Sequence, residues 1–243
     1  MESTFAGKTV LVTGANRGLG RELVDEALRR GAKRVYAASR RPTVVADQRV
    51  TPLILDVTAP SQIQEAADGV EALDILINNA GVSVVGDLSD RSAFEQHLAV
   101  NLYGTLDVTR AFLPSLTRSR GAVVNIVSLS AVAAVPIMPA YSVSKAASLS
   151  LTQSLRALLA GRGVSVYAVM PGPIDTDMVR DLEVPKTPPG DVARATLDGV
   201  ERGEEEIFPD PMSQSLADGW RGGVTKEFER QNAALVPAEP IAA

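Results

Sequence analysis

The 243-residue sequence contains no cysteine. Disulfides, thiolate metal sites and a cysteine nucleophile are therefore excluded. Histidine occurs once, as His97. That leaves almost no material for a histidine-based zinc site or a Ser-His-Asp triad. The polar neighbours Glu95 and Gln96 place His97 on a solvated helix face. A basic surface is lacking too. The formal net charge is −5, which argues against a general nucleic-acid binder. The first residues, "MESTFAGK", have no apolar signal core. Residues 121–144 carry no charge, but Asn125, Ser128, Ser130, Pro136 and Pro139 interrupt them. A membrane span needs about 20 mostly apolar residues. A buried strand followed by a loop is expected there, in a soluble, cytoplasmic protein.

What is present is material for a core: 45% of residues are hydrophobic and 22% charged. Strand and helix patterns alternate along the chain. Short β-branched runs at 8–13, 34–39, 51–56, 73–78, 122–128 and 164–170 read as buried strands, with 205–208 as a seventh, edge strand. Helical patterns fall at about 18–30, 60–69, 89–100, 102–117, 140–160 and 191–202. Repeated β-α units imply right-handed crossovers, hence an α/β fold in a single domain. The expected architecture is a doubly wound, mostly parallel sheet of about seven strands with helices on both faces. Residues 177–191 are expected to form a small lid, and residues 211–243 a C-terminal extension ending in a frayed tail. Such sheets bind ligands at the carboxyl ends of their strands, so the residues just after each strand carry the most information.

After the first strand comes "TGANRGLG", residues 13–20. Glycines at 14, 18 and 20 permit a tight turn and let a pyrophosphate touch the backbone. The following helix start supplies N–H groups and positive dipole for that anion. After the second strand come Ser39, Arg40 and Arg41. Dinucleotide sites selective for NAD place an acid near here, yet the nearest downstream acid is Asp47. A 2′-phosphate suits adjacent guanidinium groups, and Arg17 would add a second wall. Asp56-Val57 follow the third strand, "NNAG" (78–81) the fourth and Ser128 the fifth. Tyr141 and Lys145, in "YSVSK", lie one helical turn apart on one face. "PGPIDTDM" (171–178) follows the sixth strand.

In this order and at these places, "TGANRGLG", "DV", "NNAG", Asn101, Ser128, "YSVSK" and "PGPIDT" resemble the short-chain dehydrogenase/reductase family, over roughly residues 6–210. Ser128 and Tyr141 stand thirteen positions apart, a spacing typical of that family. The resemblance implies a Rossmann-type fold and the catalytic set Asn101, Ser128, Tyr141 and Lys145, with Ser130 a rival for the role of Ser128. Tyr141 would exchange the proton. Lys145 would lower the tyrosine pKa and grip the nicotinamide ribose. Ser128 would hold the substrate oxygen, and Asn101 a water chain to Lys145. Cofactor contacts would come from Gly14, Asn16, Arg17, Gly18, Leu19 and Gly20; from Ser39, Arg40, Arg41, Asp56 and Val57; from Asn79, Ala80 and Gly81; from Tyr141 and Lys145; and from Pro171, Gly172, Ile174 and Thr176.

Two stretches are shorter than in the family's commoner form: the one between Asp56 and "NNAG", and the proline-rich one after "PGPIDT". An open pocket is expected, lined by Val82, Val84, Val132, Val135, Ile137, Met138, Met178, Val179 and Leu182. That lining suits an apolar, uncharged ketone or aldehyde. The expected protein is an NADP(H)-dependent carbonyl reductase or alcohol dehydrogenase. It would need no metal, nucleic-acid partner or membrane, and would form a homodimer or homotetramer. A reductase of carrier-bound 3-oxoacyl chains and a non-catalytic NADP(H) sensor are the alternatives. For Trp220, the single tryptophan, pocket closure, subunit packing and neither all stay open.

Overall fold

The computed structural model describes residues 4–41 and 46–236. Seven strands form one parallel sheet: β1 (Thr9–Thr13), β2 (Arg34–Ser39), β3 (Val50–Ile54), β4 (Ile75–Asn78), β5 (Ala122–Ile126), β6 (Ser165–Val169) and β7 (Glu206–Ile207). Their order across the sheet is β3-β2-β1-β4-β5-β6-β7. The chain therefore winds one way from β1 to β3, then crosses back to β4. The carboxyl ends of β1 and β4 flank that reversal, where an open α/β sheet leaves its crevice.

Among the described residues eight α-helices flank the sheet: α1 (Gly18–Arg29), α2 (Pro60–Gly69), α3 (Arg91–His97), α4 (Thr105–Ser119), α5 (Pro139–Ala160), α6 (Pro189–Glu201), α7 (Pro211–Arg221) and α8 (Val224–Ala233). Successive strand residues point to opposite faces, and the core divides accordingly. Val10, Val12, Ile75, Ile77 and Val124 pack toward α1 and α6, against Leu19, Leu23, Val192 and Leu197. Leu11, Leu76 and Val123 pack toward α2, α4 and α5, against Ile63, Val108, Phe112 and Leu155. Strands buried on both faces account for the unbroken apolar runs in the sequence. The left-handed backbone that ends α1 falls on Gly31, φ +86°.

The sequence predicts two helices over 89–117. The chain instead runs on from α3 through a π-helical segment, Leu98–Gly104, into α4. Residues 211–236 hold two helices, and Trp220 packs beside Val127, Leu149, Met170 and Phe208 in a third core cluster. The frayed tail expected beyond Val236 lies outside the described residues. No helix among the described residues is long and apolar enough to cross a membrane.

Candidate active site

The turn after β1 is built by its glycines. Gly14 adopts φ +66°, which glycine accepts without strain. A Cβ on Gly20 would sit 2.1 Å from the Gly14 carbonyl oxygen, so only glycine lets α1 start this close to the strand. Thr13 then receives the next loop: its hydroxyl accepts the N–H groups of Asn79 and Ala80, both at 3.0 Å. The Asn79 side chain donates back to the Thr13 carbonyl at 2.9 Å. "TGANRGLG" and "NNAG" are thus stitched together across the reversal point. Asn16, Arg17 and Gly18 face solvent to differing degrees, while Leu19 is buried in the core.

Behind this turn, Asn101 sits in the π-helical segment and is 2% exposed. Its Oδ1 accepts the Val82 N–H at 2.9 Å. Its Nδ2 donates to the Val82 carbonyl at 3.0 Å and to Ser144 Oγ at 2.9 Å. The side chain clamps the loop after β4 to α5. Its main-chain carbonyl accepts from Ser148 and Thr105. Such π segments recur at functional sites because they re-aim a side chain within a helix.

Tyr141 and Lys145 stand on the first turns of α5. Lys145 is buried, and its ammonium donates to the Ile126 carbonyl at 2.8 Å. The ammonium lies 5.7 Å from the centre of the Tyr141 ring. Burial pushes its pKa down to about 8. Gly81 borders the same space: a Cβ there would stand 3.3 Å from Asn101 Oδ1 and 3.9 Å from Lys145 Nζ. Burial raises the Tyr141 pKa, and a hydrogen bond with Ser128 opposes it. Removal from water outweighs that charge-stabilising contact.

Ser128 follows β5 and opens a 3-10 turn, accepting the Ser130 N–H at 3.1 Å. The Ser130 hydroxyl is buried and, among the described residues, has no hydrogen-bond partner. Of the two rivals, Ser128 is the one whose hydroxyl acts on the Tyr141 pKa, pulling it down against burial.

His97 corrects the sequence reading. It is fully buried, not solvated. Its Nε2 accepts the Val84 N–H at 3.1 Å, and its Nδ1 faces the Ala93 carbonyl at 2.6 Å. Those two contacts fit the neutral Nδ1–H tautomer. Its ring meets Tyr141 edge-on with centroids 6.4 Å apart. The only local hint in the sequence is that His97 and Asn101 are four residues apart, on one helix face.

At the far end of the crevice, Arg40 and Arg41 are exposed, and the buried Ser39 hydroxyl donates to the Arg41 carbonyl at 2.8 Å. Burial would raise the Asp56 pKa. Hydrogen bonds from the Thr58 N–H and hydroxyl, with the charge of Arg40, outweigh burial and hold it below the usual carboxylate range. Val57 is buried, its side chain within the second core cluster beside Gly104. Arg17, expected to add a second wall beside Arg40 and Arg41, pairs with Asp177 at 2.9 Å. Asp177 also pairs with Arg180. The segment after β6 therefore folds over the glycine-rich turn, and a Cβ on Gly18 would meet the Thr176 methyl at 3.1 Å. Pro171 is buried, and Ile174 forms a bridge with Thr187.

The expected pocket lining spans three loops. Gly86 N–H donates to the Ile137 carbonyl at 3.2 Å, and Ser83 Oγ donates to Met138 Sδ at 3.3 Å. Val82, Val84, Val135, Ile137 and Met138 are thereby brought together, with Met138 buried. A cavity of about 220 Å³ lies between the 84–90 loop, α3 and the start of α5, bordered by Val84 and His97. Val132 and Met178 are exposed on the other loops, and Val179 and Leu182 are half-buried. Sequence reasoning missed Met212, whose thioether lies beside Gly172: a Cβ there would stand 3.2 Å from its sulfur.

The family model for short chain dehydrogenases matches residues 8–186. A ketoacyl reductase of Nostoc sp. is 34% identical over 239 residues, covering 88% of this chain and 83% of its own. Mouse estradiol 17-beta-dehydrogenase 2 is 32% identical over 194 residues, covering 73% of this chain and 51% of its own. The crystal structure of a short chain dehydrogenase from Burkholderia cenocepacia, in complex with NADP, superposes with a TM-score of 0.85 and 38% identity. It covers 93% of this chain and 98% of that one. Sequence, fold and matched residues agree: this chain belongs to the short-chain dehydrogenase/reductase family of oxidoreductases.

Proposed function

We propose that the protein moves a hydride between NADP(H) and the carbonyl or secondary alcohol of an apolar, uncharged ketone or aldehyde. The observation that carries the reading is the placement of Ser128, Tyr141 and the buried Lys145 at the carboxyl ends of β5 and α5's first turns, beside the crevice. The residues fit a dinucleotide. The glycines at 14, 18 and 20 let the turn close tightly on Asn79, Thr176 and the start of α1, where the helix N–H groups would meet a pyrophosphate. The exposed Arg40 and Arg41 stand where a 2′-phosphate would need them. The NADP-bound Burkholderia relative supports the same choice.

Asn16 through Gly20 would hold the pyrophosphate, Ser39, Arg40 and Arg41 the 2′-phosphate, and Asp56 with Val57 the adenine. Asn79 to Gly81 would line the ribose side; Pro171, Gly172, Ile174 and Thr176 would hold the nicotinamide end. When bound, the nicotinamide supplies or takes up the hydride. Ser128 holds the substrate oxygen. Tyr141, a phenol whose ordinary pKa of about 10 keeps it protonated near neutrality, gives that oxygen its proton on reduction and, as the phenolate, takes it back on oxidation. Lys145 keeps a positive charge beside the ring. Asn101 fixes the loop and helix that frame them.

The Nostoc relative favours a second reading, reduction of carrier-bound 3-oxoacyl chains. An acidic carrier would need basic groups at the pocket mouth. Arg180 is paired with Asp177, and Lys186 donates to the Arg180 carbonyl at 2.9 Å, so both are engaged within the protein. Homo-oligomer formation through α4 and α5 belongs to this proposal as well.

Tyr141→Phe tests the reading. Turnover of ketones with NADPH should fall by about a hundredfold or more, while NADPH affinity stays within roughly twofold of the parent. A variant that keeps its turnover contradicts the acid-base role.

A further inference from the structure

We infer that Asp210 is a positioning residue for Ser128, acting through the peptide that joins Pro171 to Gly172. The inference rests on the role proposed for Ser128. Asp210 caps α7 and is 2% exposed. Its Oδ1 accepts the Ser213 N–H at 3.0 Å, and the Ser213 hydroxyl accepts the Asp210 N–H at 3.1 Å. That reciprocal box is all a helix start requires. The second oxygen does something else. Oδ2 accepts the Gly172 N–H at 2.8 Å, from a residue 38 positions earlier.

The carbonyl of the same peptide unit, on Pro171, accepts the Leu129 N–H at 3.0 Å. The Leu129 N–H belongs in turn to the peptide that carries the Ser128 carbonyl, which accepts the Ala131 N–H at 3.1 Å. One chain of hydrogen bonds therefore runs from a buried carboxylate, through two peptide units, to the backbone of Ser128. An ionised acceptor makes the strongest bond in such a chain, and each bond polarises the next. An ionised carboxylate only accepts, so rotating the Gly172 peptide away would leave Oδ2 buried without its donor. The packing leaves little room for that rotation: a Cβ on Gly172 would stand 3.1 Å from Asp210 Oδ1. Tilting the peptide after Ser128 would carry with it the hydroxyl that meets Tyr141.

Asp210→Ser tests this. Serine is also a good cap, but its single oxygen cannot hold Ser213 and Gly172 together. The variant should still fold, since serine keeps the cap of α7. The kcat for the ketone the parent reduces fastest should fall by roughly ten- to a hundredfold, the scale of a small misplacement at a reacting centre. Amide exchange at Leu129 should quicken, a readout independent of turnover. Ser213→Ala weakens the cap but leaves Oδ2 on Gly172, and should keep the parent kcat and the slow Leu129 exchange. Should Asp210→Ser not fold, Asp210→Asn, with one acceptor oxygen in the same shape, should show the same two losses. Parent-like kcat and Leu129 exchange in the Asp210 variant would overturn the inference, as would an equal loss in Ser213→Ala. Tyr141→Phe run in parallel separates the two levels: retained turnover there sinks the proposed function, whereas its loss beside an unimpaired Asp210 variant sinks only this inference.

Discussion

At the residue scale, burial acts on the two ionisable side chains proposed to carry the chemistry, Tyr141 and Lys145, in opposite directions. A lysine is charged when protonated, so burial lowers its pKa, here to about 8. A tyrosine is charged when deprotonated, so burial raises its pKa. On the alkaline side Lys145 therefore titrates before Tyr141. The ammonium beside the ring is present below about pH 8 and is lost above it. We predict that kcat/KM for ketone reduction is level near neutrality and falls with an apparent pKa close to that value. A profile flat through pH 9.5 or so would remove Lys145's charge from the mechanism. The placement of Ser128 after β5 and of Tyr141 and Lys145 on the first turns of α5 was legible in the sequence, because their spacing is local or fixed by the family pattern. His97 and Asp210 were not. Each takes its meaning from a backbone N–H far along the chain, Val84 for one and Gly172 for the other. The start of α7 itself, Asp-Pro-Met-Ser, is a readable cap, but nothing near it in the sequence points to Gly172.

Among the elements, α8 is held by charge more than by apolar contact. Lys226 is 2% exposed and reaches Glu205 at 2.8 Å, Glu206 at 2.9 Å and Glu229 at 3.0 Å. Arg156 of α5 joins the same group, pairing with Glu206 at 2.8 Å and with Glu229. Burial lowers the Lys226 pKa, but hydrogen bonds to Glu205 and Glu206 outweigh it and leave the pKa raised. Removing one partner from a buried pair strands the others, at a cost of about 3–5 kcal/mol. Lys226→Ala should therefore destabilise the protein by about that much in urea unfolding. A change under about 1 kcal/mol would mean that water reaches the cluster. The central strands β1, β4 and β5, with α1, α2 and α5, match their apolar patterns closely, because burial on both sheet faces writes itself into composition; β3, expected to be buried, keeps only Val50 fully covered. The ends of the chain read less well. β7 has only two residues, and its Glu206 is polar because it answers Lys226 rather than the core. The continuous path from α3 to α4 was hidden because the π segment disturbs the helical period locally.

Across the whole molecule, one reversal of strand order places β1 and β4 side by side. The glycine-rich turn, "NNAG" and the loops that carry Ser128 and Tyr141 consequently gather at the carboxyl ends of the central strands, although they span more than a hundred residues. That gathering was foreseeable from right-handed β-α-β connections. Less foreseeable was the fold of the segment after β6, where Asp177 pairs with Arg17. Two guanidinium groups are then left beside the second strand, where a 2′-phosphate would bind. The measurement that bears most directly on the account is a calorimetric titration with NADPH and with NADH, on the parent protein and on the Arg40→Ala/Arg41→Ala variant. The account predicts tighter NADPH binding by the parent. The variant should lose about 2 kcal/mol, roughly thirtyfold, toward NADPH and little toward NADH. Equal affinities in the parent, or equal losses in the variant, would contradict it.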